Sequence, residues 1–198
     1  MAETADKCCC SGARSFLNRE ISASASHLLF WPVFLLGLAA DLWTKSLVFN
    51  WLTSRGGQQR YSIVDGFFQF VLVENRGAAW GIASDRTIPL IVISVVAVII
   101  VFAVFLLAAR RPGRNGFMRK PQAIVIFSLG LFAAGICGNL YDRLFNNGRV
   151  RDFLDFYYGD VHFPAFNIAD SMLTVAVCLL ILVTLFSPKP QTKDNVCE

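Results

Sequence analysis

Asp152 and Asp170 are the two carboxylates best placed to do chemistry in this chain. They belong to a polar stretch that reads Gly-Asn-Leu-Tyr-Asp-Arg at 138–143, Arg-Asp-Phe-Leu-Asp-Phe at 151–156 and Phe-Asn-Ile-Ala-Asp at 166–170, flanked on both sides by long apolar runs. Two carboxylates held together cannot both ionise easily, so they share one proton. One then acts as general base on a water molecule and the other as general acid toward a carbonyl oxygen, which cleaves an amide without a metal or a covalent nucleophile. A Ser–His arrangement would have to use Ser171 and His162, and no recognisable nucleophile turn surrounds Ser171. Taken singly, Asn167 could cap a helix that starts after Pro164. Likewise, Asp142 and Arg143 could form an interfacial ion pair, and Asp152 and Asp155 could sit in a solvated loop. Their convergence at the ends of two apolar runs favours a joint role.

The 198-residue chain is 55% hydrophobic and only 16% charged, with a mean hydropathy of +0.53. That is too apolar for a soluble domain of this length. A helix needs about 20 apolar residues to cross a bilayer. Runs at 27–52, 88–109, 123–144 and 166–186 qualify, so an α-helical integral membrane protein with four transmembrane helices is expected. Between the first two spans, Phe67-Phe68-Gln69-Phe70-Val71-Leu72-Val73 is aromatic and β-branched and favours strand, hence a small extracytoplasmic β-sheet lying on the membrane. Asn75, Gly77, Ala79 and Trp80 follow it; the glycines at 77 and 81 permit close backbone approach, or simply a hairpin turn.

Arg110, Arg111, Arg114, Arg119 and Lys120 crowd the loop between the second and third spans with no acid among them. This positive-inside signal puts that loop in the cytoplasm, and four spans then put both termini there. Residues 1–26 are expected to be a flexible cytoplasmic tail, 27–188 the membrane domain and 189–198 a second cytoplasmic tail. The net charge of +4 is explained by topology and does not call for nucleic acid. Cys8, Cys9 and Cys10 are consecutive, no Cys-x-x-Cys spacing occurs, and His27 and His162 are remote from them, so neither zinc nor any other cofactor is expected.

Within the first span, Asp41, Thr44 and Lys45 share one helical face. An ionisable group at mid-span costs about 2.5–3.5 kcal/mol, which pairing of Asp41 with Lys45 partly offsets. Asn139, Asp142 and Arg143 repeat that i, i+3, i+4 spacing near the end of the third span. A small ion-coupled transporter using Asp41 and Lys45 is the alternative reading, and a non-catalytic scaffold a third.

Five blocks in order carry a resemblance: Asp41-x-x-Thr44-Lys45, Asn75-x-Gly77-x-Ala79-Trp80-Gly81, Gly138-Asn139-x-x-Asp142-Arg143, Val150-x-Asp152-Phe153 and Phe166-Asn167-x-Ala169-Asp170. The chain resembles the lipoprotein signal peptidase (signal peptidase II) family of membrane aspartyl endopeptidases. It departs from it at Leu42, where Gln is frequent, at Trp80, where Phe is usual, and in a slightly longer turn at 145–148. The resemblance implies that Asp152 and Asp170 are the catalytic dyad. It implies that Asp41, Lys45, Asn75, Gly77, Ala79, Asn139, Asp142, Arg143, Asn167 and Ala169 support the dyad or line the substrate site. The implied substrate is a diacylglyceryl-modified prolipoprotein, cut just before its lipidated cysteine. The implied setting is the bacterial inner membrane, with the phospholipid bilayer as surroundings and the chain expected to be monomeric.

Overall fold

The computed structural model describes residues 21–77, 87–110 and 122–186. Four described helices are long and apolar enough to span a membrane: α1 (Ala23–Ser54), α2 (Thr87–Ala109), α3 (Ala123–Phe145) and α4 (Ile168–Phe186). Each coincides with an expected span. α1 starts at Ala23, inside the segment expected to be tail, because Ser22 caps it: the Ser22 hydroxyl accepts from the Ala25 amide at 3.2 Å. The rest of the two expected tails, and Ala79 and Trp80, lie outside the described residues.

α3 is the centre of the bundle and packs against the other three helices. Its buried residues include Gly130, Ala133, Ala134, Gly135 and Gly138. Apolar burial cannot drive association against lipid tails, so close packing of small residues does that work. α2 is apolar on all sides and mostly exposed, as suits a helix solvated by lipid. It docks through Phe105, whose ring stacks on Phe30 of α1 with centroids 3.8 Å apart.

The sheet is larger than the sequence suggested. β1 (Arg60–Val64) and β2 (Phe68–Asn75) come from the first inter-span segment, as expected. The segment between α3 and α4, where a solvated loop was one reading, contributes β3 (Val150–Tyr158) and β4 (Val161–His162). All four are antiparallel in the order β1-β2-β3-β4. Phe153 of β3 packs against Val48 and Leu52, so the sheet rests on the end of α1. The turn from α3 into β3 uses positive φ at Asn147 (50°) and Gly148 (80°). A side chain at Gly148 would also collide with Thr87 at the start of α2.

Candidate active site

Three local facts bring Asp152 and Asp170 to one place. Asp152 is in β3, opposite Val73 of β2, just past a register shift between Phe70 and Val73. Bulges of this kind re-aim side chains beside functional sites. Phe166 pairs with Leu154 of β3, and this draws the start of α4 onto the sheet. Asp170 is the third residue of α4, and its carboxylate accepts from the backbone amide of Asn167 at 3.3 Å while Asn167 Oδ1 accepts from the Asp170 amide at 3.0 Å. That is a reciprocal capping box, with the acid also favoured by the helix dipole.

Three asparagine amides hold the two acids. Asn167 Nδ2 donates to Asp152 Oδ1 at 2.7 Å, and Asn75 Nδ2 donates to Asp152 Oδ2 at 3.3 Å. Asn139 Nδ2 donates to Asp170 Oδ1 at 2.8 Å. The orientation of Asn139 follows from its other neighbour: Lys45 can only donate, and its ammonium lies 3.0 Å from Asn139 Oδ1, so the amide hydrogens must face Asp170. Asn75 Oδ1 accepts from the Gly77 amide at 2.8 Å, and Gly77 in turn accepts from Arg143 Nη2 at 3.3 Å.

Behind these amides runs a buried row of alternating charge. Lys45 lies 2.7 Å from Asp41 and 3.3 Å from Asp142, and Asp142 lies 2.7 Å from Arg151. Asp41, Lys45 and Asp142 are fully buried. Asp41 Oδ1 also accepts from the Ala169 amide at 2.8 Å, so a residue of α1 satisfies one of the unpaired amides at the start of α4. Gly138 makes this possible, since a Cβ there would overlap the Asp41 carboxylate.

Both acids line a cavity of about 640 Å³. Its polar side includes Asn75, Asn139 and Arg143; its apolar side is residues 163–166 with Leu173 and Val175. Asp152 is 2% exposed, and burial first, then the negative charge of Asp170, push its carboxyl up to about 7, against the bonds from Asn75 and Asn167 that lower it. A proton is therefore available on one acid near neutral pH, beside a second acid.

Of the residues expected to form the site, Asp41, Lys45, Asn75, Gly77, Asn139, Asp142, Arg143, Asn167 and Ala169 all touch this network or the cavity. Ala79 falls outside the described residues. Two details differ from the single-residue readings. Asp142 pairs with Lys45 and Arg151, while the Arg143 guanidinium reaches the carbonyls of Gly77 and Asn139. His162 and Ser171 do not meet: His162 faces Asp155, and the Ser171 hydroxyl donates to the Asn167 carbonyl at 3.1 Å. Arg151 escaped the sequence reading. Its neighbour Asp152 was the only hint, because its partners Asp142 and Ser46 are reached across the fold. Among the described residues no cluster of three or more potential metal ligands occurs.

Comparison with known proteins follows the same outline. The family model described as signal peptidase (SPase) II matches residues 33–186. A lipoprotein signal peptidase of Sulfurihydrogenibium sp. (strain YO3AOP1) is 37% identical over 171 residues, covering 82% of this chain and 94% of the relative. That of Solibacter usitatus (strain Ellin6076) is 38% identical over 165 residues, covering 80% and 93%. A bacterial membrane enzyme solved by the in meso method superposes with a TM-score of 0.65 at 24% identity, over 91% of this chain and 99% of its own. A second gives 0.62 at 25%, over 86% and 99%.

Proposed function

This chain belongs to the signal peptidase II family, and from that premise we propose that it is an aspartic endopeptidase that removes the signal peptide of diacylglyceryl-modified prolipoproteins by cutting before the lipidated cysteine. The observation that carries the reading is the pair of carboxylates lining one cavity, with one acid raised to about 7 partly by the charge of the other. Asp152 holds the shared proton and gives it to the scissile carbonyl oxygen. Asp170 takes a proton from the attacking water. As the tetrahedral diol collapses and its C–N bond breaks, Asp170 passes its new proton to the leaving nitrogen and Asp152 takes one from a diol hydroxyl, which returns the dyad's single proton to Asp152.

The membrane explains the location. The apolar helix of a signal peptide and the acyl chains of the cysteine both stay in lipid, at roughly 0.8 kcal/mol per buried methylene. The bond between them is thus delivered near the headgroups, and this binding orients it against the acids. In this reading the chain sits in the bacterial inner membrane as a monomer, with the sheet extracytoplasmic and both termini in the cytoplasm. The transporter alternative is not favoured by the family membership; Lys45 is held on three sides by Asp41, Asp142 and Asn139, as befits a fixed counter-ion.

Asp152→Asn and Asp170→Asn should each lower cleavage of purified lipidated precursor by at least about 10²–10⁴-fold, the usual worth of a general acid or base. Both variants should stay folded and inserted. Cleavage by either at the wild-type rate refutes the dyad, and equal cleavage of precursor with an unmodified cysteine refutes the substrate.

A further inference from the structure

The sheet buries a second carboxylate that the dyad does not use. Asp155 is 5% exposed and lies opposite Gln69 in the β2–β3 register. Gln69 Nε2 donates to Asp155 Oδ2 at 2.6 Å. On the other side His162 Nδ1 lies 2.9 Å from Oδ2 and 3.2 Å from Oδ1 of the same carboxylate. The ring meets the carboxylate through Nδ1, the nitrogen that donates in the tautomer with its hydrogen there. The imidazole also stacks on Tyr157, centroids 5.3 Å apart and planes 14° from parallel, and the Tyr157 hydroxyl accepts from the Gly66 amide at 3.1 Å.

What these contacts hold is the chain immediately after His162. Residues 163–166 form an arch along the apolar side of the cavity that contains Asp152 and Asp170. The far foot of the arch is tied by reciprocal backbone bonds between Phe166 and Leu154, at 3.0 and 2.9 Å. The near foot is tied by β4, which pairs with Tyr157 and Tyr158 of β3, and by the Phe163 amide, which donates to the Phe156 carbonyl at 2.8 Å. Pro164 has no amide hydrogen to contribute. Side-chain contacts from Asp155 to His162 add to these ties at the foot that leads into the cavity wall.

We propose that Gln69, Asp155 and His162 form a positioning clasp that sets the 163–166 arch against the dyad and so fixes how the residues flanking the scissile bond are seated. The clasp touches no reacting atom; it acts through the arch. This inference rests on the peptidase reading above, and its test is built to fail separately.

The variants are His162→Ala and His162→Asn, the second keeping an N–H close to the place of Nδ1. With lipidated precursor, His162→Ala should raise KM about tenfold with kcat within about twofold, the pattern of lost positioning. His162→Asn should restore most of the KM. Hydrogen exchange on the same proteins should show faster exchange at the Phe163 and Phe166 amides in His162→Ala, with α3 unchanged. An unchanged KM overturns the proposal, whatever the exchange shows. So does a fall in kcat accompanied by loss of protection throughout the bundle, the signature of a merely structural contact. If the wild type fails to cut lipidated precursor, the peptidase reading falls, and exchange at the arch still decides whether the clasp holds it.

Discussion

Asn75, Asn139 and Asn167 do at the residue scale what a charged side chain could not. Each amide donates to Asp152 or Asp170 without bringing a charge of its own; the cationic field at Asp152 comes instead from Lys45, behind Asn139. In the acid–base balance of Asp152, burial and the charge of Asp170 outweigh the two amides and the charge of Lys45. Its folded value of about 7 exceeds the ordinary 3.8. Ionisation of a buried acid opposes folding, so the stability linked to this group is fully present below 3.8 and is lost as pH rises through about 7. In Asp170→Asn the second cause disappears and the first remains. The Asp152 midpoint should fall below 7 and stay above 3.8, read from the infrared band of its protonated carboxyl against pH. A midpoint that does not move would mean that Asp170 exerts no field there.

The start of α4 is the element on which most of the site depends. Its first turn is capped by Asn167 and Asp170 from within and by Asp41 from α1. Its entry angle is set by the Phe166–Leu154 pairing with β3. The approach of α1 to α3 at Gly138 is what lets Asp41 reach across. Gly138→Ala should therefore destabilise the bundle by about 1–3 kcal/mol, the usual cost of overpacking, and also slow cleavage by displacing the Asp41 carboxylate from the Ala169 amide. Thermal unfolding in detergent with a parallel cleavage assay checks both; an unaffected melting temperature would remove the close approach from the account. These contacts also show why β3 resisted a sequence reading. Arg151-Asp152-Phe153-Leu154-Asp155 breaks the alternation of a half-buried strand, because Asp152 and Asp155 are both buried for their polar partners and Phe153 for its apolar ones.

For the molecule as a whole, four apolar helices carry one polar end. The sheet, the cavity and most of the buried row of charges lie toward that end, where α1 and α3 finish and α4 begins. The row alternates Asp41, Lys45, Asp142 and Arg151, so its charges cancel; removing one member strands its neighbours in a medium that cannot solvate them. The proposed orientation has a direct check. In a chain whose native cysteines are replaced, Tyr158→Cys at the tip of β3 should react with an impermeant maleimide added outside intact spheroplasts, whereas Gln122→Cys at the opposite end should react only after permeabilisation. The reverse pattern would invert the topology.

Sequence alone determined the spans, because a bilayer demands a run of apolar residues whose length can be counted, and a run is a local property. It also determined β2, whose aromatic and β-branched residues are contiguous, and the pairing of Asp41 with Lys45, which are one helical turn apart. Family resemblance singled out the two acids by their neighbours. Only the tertiary structure decided that Arg151 neutralises Asp142, that Asp41 caps a helix 128 residues away, that Asn139 faces Asp170 with its hydrogens, and that the loop between α3 and α4 completes the sheet. Each of these joins residues distant in the chain through strand register or helix packing. Spacing along a sequence cannot express them, because they exist only once burial has brought two separate segments face to face.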